Sequence, residues 1–315
     1  MFELIQSDLE VFETQLAHEL RSSVDFISAI GDDLVGAGGK RLRPALAFLA
    51  GRLLGGARES ALQVALAVEL LHSASLLHDD LVDDANTRRG VDAAFRRYGN
   101  VVSVMSGDFM LARVLAILAR GGSADFTMLL SQTAARLCEA QVLEFEMATL
   151  ETYSLAHYSF IIEGKTAVLF AAALEGVALL AGTAEAERQA LQRFGMHYGR
   201  AFQLQDDYLD LLGDAEILGK PVGGDLREGK ATFVVLALLA ENVLEVRTIL
   251  RRHAAQAGDT ERMIALAREH GAEARAQAEI RKEATSAIGA LEPFPESDAK
   301  KILTQLAERE LARVS

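Results

Sequence analysis

The sequence has few of the residues that interrupt or cross-link a fold. Its 315 residues include one cysteine, four prolines and no tryptophan, and aromatic residues make up 6%. A single cysteine excludes a disulfide within the chain, and we expect Cys138 to fill core space in a reducing compartment. Scarce proline permits long helices. Alternating runs of Val, Ile and Thr, which indicate strands, do not recur. We therefore predict an all-α chain.

Basic residues are also in short supply. The chain has 32 Lys and Arg against 45 Asp and Glu, a net charge of −13. This balance argues against a nucleic-acid-binding protein. We find no apolar run of the roughly 18 residues that cross a membrane, and no basic-then-apolar signal at the N-terminus. Nothing marks an internal boundary. We expect one domain over residues 1–315, in the cytoplasm.

What the chain does have is apolar residues at helical spacing, with half of all residues hydrophobic. The spacing predicts two helices between residues 4 and 34, with a break at Ser22-Ser23. The segment 59–84 is apolar on nearly all sides and should be a central core helix. Further apolar helices are predicted over 98–119, 124–150 and 232–240.

The predicted core helix ends in a cluster of carboxylates. After His78, the chain reads Asp79 and Asp80, and Asp83 and Asp84 follow after two intervening apolar residues. Residues four apart share a helix face, so these form two acidic pairs whose repulsion destabilises the helix unless a cation binds. Oxygen-only ligands favour Mg²⁺, which completes its shell with waters and substrate phosphates. The segment is therefore a candidate magnesium site.

A second cluster follows another apolar stretch, in the sequence Phe-Gln-Leu-Gln-Asp-Asp-Tyr-Leu-Asp over residues 202–210. Asp206 and Asp210 again share one helix face. A single acidic run is most often a solvated helix end. Two Asp-Asp-x-x-Asp segments at the ends of two apolar helices instead predict a metal cluster held between facing helices.

Basic residues gather at two loops. A glycine-rich loop precedes Lys40, Arg43 and Pro44, and glycines, cations and a proline in the first helical turn suit a phosphate site. Arg88 and Arg89 follow the first aspartates, and guanidinium groups bind phosphate oxygens in bidentate fashion. An acidic chain that concentrates metal ligands and cations in this way suits polyanionic substrates.

Taken together, these segments resemble the trans-isoprenyl diphosphate synthases, the polyprenyl synthetase family. The resemblance covers residues 38–230 and rests on the two aspartate motifs, Gly-Gly-Lys-Arg-Leu-Arg-Pro at 38–44, His72, Arg88-Arg89-Gly90, Lys165-Thr166, Gln203 and Gly219-Lys220. It implies the isoprenoid synthase fold, a single-domain bundle of long antiparallel helices around a deep central cavity, and a homodimer. The family usually has Lys-Pro after Arg-Arg-Gly. Here Val91-Asp92 follows, which leaves the geometry of this loop open.

The resemblance also implies a reaction. An allylic diphosphate ionises with magnesium bound, the double bond of isopentenyl diphosphate attacks the allylic cation, and a proton is lost. A terpene cyclase would share the first motif but usually has an Asn/Ser/Glu second motif. A non-catalytic subunit of a heteromeric synthase tends to lose aspartates or basic residues that are present here. Short-chain synthesis of farnesyl or geranylgeranyl diphosphate is the alternative on product length.

Site residues are implied by the same resemblance. Up to three magnesium ions would be held by Asp79, Asp83 and Asp206, with Asp80 and Asp210 in second rank. The allylic diphosphate would contact Arg88, Lys165 and Lys220, and isopentenyl diphosphate would contact Lys40, Arg43, His72 and Arg89. Thr166, Gln203 and Lys230 complete the expected substrate site, and Asp79, Asp83, Asp206, Lys165 and Lys220 are expected to be catalytic.

Product length is predicted from the helix that precedes the first aspartate. In the family, the residues four and five positions before it face the growing chain, and aromatic residues there stop elongation. Here these residues are Ser75 and Ala74, with Leu71 one turn further back. Small side chains leave room for a tunnel, for which Phe126 and Leu130 are candidate floor residues. We therefore expect a product longer than geranylgeranyl, from hexaprenyl to nonaprenyl, of the kind used in quinone side chains.

Overall fold

The protein is described by a computed structural model. It covers residues 2–36, 39–82, 87–88, 91–219 and 221–312, without the side chains of Thr87, Arg88, Val91 and Ile217. Six residues of the predicted motifs lie outside the described residues, as does the side chain of Arg88: Gly38, Asp83, Asp84, Arg89, Gly90 and Lys220. Their predicted roles stay predictions.

The described chain is helical apart from one short hairpin, which confirms the all-α prediction. A 3-10 turn (Glu3–Ile5) is followed by α1 (Gln6–Glu19), α2 (Asp25–Gly36), α3 (Leu42–Leu53), α4 (Arg58–Val82), α5 (Ala94–Tyr98), α6 (Asn100–Gly121), α7 (Ala124–Thr149) and α8 (Leu155–Ile162). A π-turn (Glu163–Ala167) leads into α9 (Val168–Leu180), α10 (Glu185–Leu212), α11 (Ala215–Leu218), α12 (Gly224–Arg227), α13 (Phe233–Ala240), α14 (Leu244–Arg251), α15 (Asp259–Glu269), α16 (Ala272–Ala290) and α17 (Asp298–Ala312).

The chain divides into two compact units, which are described separately. The first comprises Met1–Ala135, Leu169–Gly195 and Leu291–Leu303; the second comprises Arg136–Val168, Met196–Ala290 and Thr304–Ser315. The first unit therefore contains the first aspartate motif, and the second unit contains the second motif.

Helix α4 is the centre of the first unit. It packs against α3 and α6, and thirteen of its 25 residues are buried. Burial on most of its circumference explains why it lacks the apolar stripe of a surface helix. The prediction of a central core helix over 59–84 is confirmed as far as Val82, the last described residue of α4.

Helix α13 has the corresponding position in the second unit. Its residues Val234–Leu238 are all buried, and it packs against α8, α14, α15 and α16. The apolar cluster around it includes Leu204, Tyr208 and Ile280. This confirms the buried helix predicted over 232–240, and it places the end of α10, which carries the second aspartate motif, on an apolar core.

Two helices correct the expectation about apolar runs. By length and composition, α4 and α6 are each apolar enough to cross a membrane. In α4, 67% of the apolar window is buried inside the protein, as in a core helix, whereas in α6 this share is 39%. The more exposed α6 shows Val101, Met105 and Leu115 to solvent. This apolar face needs its own explanation.

Three local expectations also change. Cys138 is exposed on α7 rather than in the core. From the sequence, Glu163-Gly164-Lys165-Thr166 is expected to open a buried helix, but the π-turn joins α8 directly to α9 and places this segment inside a helical stretch. After the first motif, Thr87–Arg88 and Val91–Asp92 pair as a two-stranded antiparallel hairpin. Pro44 does lie in the first turn of α3, as its third residue.

The π-turn depends on a close helix crossing at Gly164. A Cβ atom there would lie 2.5 Å from the Cβ of Ala140 and 2.7 Å from the carbonyl oxygen of Arg136, both on α7. We expect Gly164→Ala to destabilise the protein by about 1–3 kcal/mol, because α7 and the π-turn would have to separate. Denaturant unfolding measures this.

The matched control is Gly289→Ala on α16, where a Cβ atom meets nothing within 4 Å. Replacing a helical glycine in open space should stabilise the protein by about 0.5–1 kcal/mol. Equal effects of the two substitutions would show that the crossing at Gly164 is not tight.

Candidate active site

Arg41, which lies between Lys40 and Arg43 in the sequence, forms structural ion pairs. Arg41 bonds Glu13 of α1 through Nε at 2.6 Å and Glu69 of α4 through Nη1 at 2.9 Å. Arg43 instead stacks its guanidinium on the ring of Phe170, 4.9 Å from the ring centre. Lys40 is exposed. The predicted anion-binding residues Lys40 and Arg43 therefore flank an arginine that ties three helices together.

The end of α4 presents its aspartates in different environments. Asp79 is half-buried, whereas Asp80 is only 2% exposed. Asp80 and His72 line one small cavity of about 70 Å³ in the first unit, together with Arg41 and Glu69. His72 and Asp80 are therefore brought together, and Asp80 faces the protein interior. This fits its predicted second rank as a metal ligand.

His78, directly before the first motif, contacts three residues of α6. Its Nε2 atom lies 3.2 Å from the carbonyl oxygen of Val104 and 3.4 Å from Asp108 Oδ1, both on α6. The ring covers Gly107, where any Cβ atom would collide with it. Gly107 and Asp108 thus form the seat of His78 and hold the end of α4 against α6.

In the second unit, the π-turn carries Lys165 and Thr166. The wider turn matters because π-turns change which side chains point along a helix face, and they often occur at functional sites. Lys165 Nζ lies 2.5 Å from Glu144 Oε2 on α7, and both side chains are largely buried. The predicted diphosphate contact at Lys165 is thus paired with a carboxylate of the protein.

Thr166 begins a chain of three hydrogen bonds that ends at an unpredicted residue. Its hydroxyl donates to Gln203 Oε1, the Gln203 amide donates to Asp207 Oδ1, and the Tyr158 hydroxyl donates to Asp207 Oδ2; each bond is 2.7 Å long. The predicted residues Thr166 and Gln203 are therefore in contact. Tyr158 and Asp207 were missed as site residues, because no spacing rule connects α8 with α10.

The carboxylates of the second motif differ in exposure. Asp206 is exposed and Asp210 is half-buried, with Asp210 Oδ2 accepting the backbone N–H of Asp225 at 2.9 Å. Burial raises the pKa of Asp207 to about 7, against the effect of its hydrogen bonds from Tyr158 and Gln203. Burial, with the charges of Asp207 and Asp210, raises the pKa of Asp225 to about 8. Asp206 is the aspartate best placed to reach a soluble cation.

The donor set suits magnesium without forming a closed cage. Among the described residues, no group of three His, Cys, Asp or Glu side chains is arranged to hold a metal ion by itself. Mg²⁺ usually takes one or two carboxylates and fills its shell with waters and substrate phosphates. A site that supplies one or two carboxylates, such as Asp79 or Asp206, therefore fits this ion better than it fits calcium or zinc, which need more protein ligands.

The residues predicted to control product length lie on α4. Ala74 is fully buried and Leu71 is 4% exposed, whereas Ser75 is half-buried with its hydroxyl bonded to the carbonyl oxygen of His72 at 2.9 Å. The candidate floor residues Phe126 and Leu130 are also buried. The ring of Phe126 packs at Gly176 of α9. Ser75 is therefore the least buried of the three residues predicted to control product length.

Comparison with known proteins identifies the family. The polyprenyl synthetase family model matches residues 24–268. The chain belongs to the polyprenyl synthetase family. An octaprenyl diphosphate synthase from Haemophilus influenzae is 36% identical over 96% of this chain and 93% of its own length. A short-chain isoprenyl diphosphate synthase from Methanothermobacter thermautotrophicus is 35% identical over 90% of this chain and 89% of its own.

Solved structures agree. A polyprenyl synthase from Caulobacter crescentus, complexed with calcium and isoprenyl diphosphate, superposes with a TM-score of 0.90 at 35% identity, covering 99% of this chain and 96% of that one. The fold is therefore the all-α isoprenoid synthase fold, and the chain is a prenyltransferase of a family that generally depends on Mg²⁺. The resemblance found in the motifs is confirmed.

Proposed function

We propose that the protein condenses an allylic diphosphate with successive molecules of isopentenyl diphosphate, giving a polyprenyl diphosphate longer than geranylgeranyl. The observation that carries this proposal is the array around the second motif. Lys165 and Thr166 share one π-turn, and Thr166 is hydrogen-bonded through Gln203 to the residue next to Asp206. Lys165 would bind the leaving diphosphate, Asp206 would hold a cation that neutralises it, and Thr166 and Gln203 would provide polar groups beside the allylic centre.

Substrate binding by the first unit rests on three groups. Lys40 is exposed to receive a diphosphate, and the Arg43 guanidinium is oriented by its stacking on Phe170. A guanidinium that stacks on an aromatic ring can also bind phosphate oxygens through its N–H groups. His72, on α4, adds an imidazole N–H donor. We assign these residues to isopentenyl diphosphate.

In the second unit, Lys165 is assigned to the allylic diphosphate. Glu144 neutralises Lys165 at 2.5 Å while no diphosphate is bound. A diphosphate carries more negative charge than one carboxylate, so we expect it to replace Glu144 as the partner of Lys165. Lys230 lies 2.8 Å from Glu228, a second cation paired with a carboxylate that a diphosphate can displace. Lys220 is expected to act with them.

Magnesium is proposed as the cofactor, up to three ions with diphosphate bound. Asp79, Asp83 and Asp206 would hold the ions, with Asp80 and Asp210 in supporting positions. When bound, the ions neutralise the charge of the leaving diphosphate. The carboxylates on this chain position that charge, and the closely packed helices keep water away from the allylic centre. We also place the protein in the cytoplasm.

The metal assignment is tested by Asp79→Ala and Asp206→Ala. The assay measures the Mg²⁺-dependent addition of labelled isopentenyl diphosphate to a farnesyl diphosphate primer. Each substitution should lower this activity by at least ~100-fold, because an interaction made in the transition state is lost. The unfolding midpoint should not fall, since like-charge repulsion is relieved. Asp298→Ala is the control, because this carboxylate is 75% exposed on α17.

Wild-type activity without any second protein is required by the proposal. Incorporation that appears only after a partner subunit is added would favour the subunit alternative. Full activity in both aspartate variants would show that neither residue holds a metal ion needed for turnover.

Product length is proposed from Ser75 and Ala74, with the octaprenyl synthase as the supporting relative. Ser75→Phe should shorten the product to fifteen or twenty carbons with activity retained, because the ring projects from a half-buried position into the path of the growing chain. Ala74→Tyr is a poorer test, since Ala74 is fully buried and an added ring overpacks the core.

Chromatography of the dephosphorylated products decides the matter. Ser75→Ala is the matched control, because it removes the hydroxyl bonded to His72 without adding bulk, and its products should match the wild type. A wild-type product of farnesyl or geranylgeranyl length would establish the short-chain alternative instead.

A homodimer is proposed to cover the apolar face of α6. Val101, Met105 and Leu115 are 76%, 49% and 65% exposed on this helix. Exposed apolar residues that recur on one helix face mark an interaction surface more often than isolated ones do. A second copy of the same helix is a partner of matching chemistry, because a twofold axis pairs a surface with itself.

Sedimentation velocity tests this interface on a chain of 34.0 kDa. Leu115→Lys should convert the dimer to monomer, because it buries an unpaired charge at the interface. Leu244→Lys is the control, since Leu244 is 80% exposed and belongs to α14 rather than to α6, and it should leave the dimer intact. A wild-type monomer, or equal effects of the two variants, would contradict the proposal.

A further inference from the structure

Tyr158 belongs to none of the predicted motifs, yet its hydroxyl reaches the second one. It lies on α8, two turns before Lys165, and is 5% exposed. Its ring packs edge-on against Phe233 of α13, with ring centres 6.1 Å apart. Its hydroxyl donates to Asp207 Oδ2 at 2.7 Å. A buried aromatic residue therefore contributes one polar atom, and that atom is directed at the neighbour of Asp206.

Asp207 has a different role from Asp206. Each of its oxygens accepts a hydrogen bond from a neutral donor, Tyr158 on one side and Gln203 on the other. It is 7% exposed, whereas Asp206 is exposed, because consecutive helical residues point about 100° apart. Asp207 thus faces the core while Asp206 faces solvent, so we treat Asp207 as an anchor rather than a ligand.

The anchor determines the direction of every bond in the chain. Both oxygens of Asp207 accept hydrogen bonds in this structure, and the Gln203 amide turns its NH₂ group toward one of them. Its carbonyl oxygen then faces Thr166, whose hydroxyl proton is used in that bond. Thr166 is left to present oxygen lone pairs to any further neighbour. An electron-rich oxygen suits a site in which an allylic carbon develops positive charge.

We propose that Tyr158 is a positioning residue, which acts through Asp207 and Gln203 to hold the Thr166 oxygen toward the reacting allylic carbon. The inference rests on the proposed prenyl transfer and names a residue outside its motifs. Without the Tyr158 hydroxyl, one oxygen of the buried carboxylate loses its donor, so the carboxylate reorients and the Gln203 amide follows it. Thr166 then loses its fixed orientation while the metal and diphosphate contacts are kept.

Tyr158→Phe tests this, because it removes one oxygen and keeps the ring packed against Phe233. We expect kcat to fall ~10- to 100-fold, as for the loss of one buried hydrogen bond expressed in the transition state, with KM for both substrates within ~2-fold of wild type. The matched control is Tyr208→Phe. Tyr208, on α10, is buried like Tyr158, but its hydroxyl donates to Glu273 of α16.

A merely structural role for Tyr158 would give a different pattern. Both Tyr→Phe variants would then lose comparable stability in denaturant unfolding, and neither would change kcat. The proposal requires a drop in kcat at Tyr158 and none at Tyr208, whatever the two losses of stability are.

A double-mutant cycle with Thr166→Val locates the effect. Since Tyr158 acts through Thr166, adding Tyr158→Phe to Thr166→Val should lower kcat by less than ~2-fold. Effects that multiply would show that the two residues act independently, which overturns the proposal. Absence of turnover in the wild type would refute prenyl transfer itself. Wild-type turnover with an unchanged Tyr158→Phe variant would refute the positioning role alone.

Discussion

Carboxylates at the ends of buried helices are the constraint on which this protein depends. A helix C-terminus carries partial negative charge and is stabilised by basic residues. The last described turn of α4 and that of α10 contain none, and both have aspartates instead. Each helix is held in place by apolar burial over most of its length. Packing can therefore support an electrostatically unfavourable end, and a bound cation relieves the repulsion there.

The remaining polar groups show how the charges of the cations are balanced within the protein. Cations that the motifs assign to phosphates are paired with carboxylates from elsewhere: Lys165 with Glu144 and Lys230 with Glu228. Arg41, in the same basic loop as Lys40, is committed to Glu13 and Glu69. An acidic chain supplies such counter-ions readily. On the proposed function, substrate binding would exchange one anion for another and would not require an isolated cation to be kept in the site.

Periodicity predicted the helices well and their junctions poorly. Apolar spacing alone predicted the core helix α4, the break between α1 and α2, and the apolar α13, because burial determines where apolar residues occur in these segments. The π-turn inside α8–α9 does not, since an extra residue in a turn leaves no mark in composition. Cys138 was misplaced for a related reason: its side chain is apolar enough for a core, but α7 turns that face to solvent.

Within the site, the motifs predicted residue types and missed their supports. Asp79, Lys165 and Gln203 were assigned to the site from motifs that resemble those of the family, and their substrate and metal contacts stay predictions. The supporting contacts come from other helices. Gly107 and Asp108 contact His78, Glu144 pairs with Lys165, and Tyr158 donates a hydrogen bond to Asp207. No sequence rule links segments so far apart. Yet a carboxylate or amide acts in a defined direction only when its other atoms are held, so directional chemistry in this fold depends on residues outside the motifs.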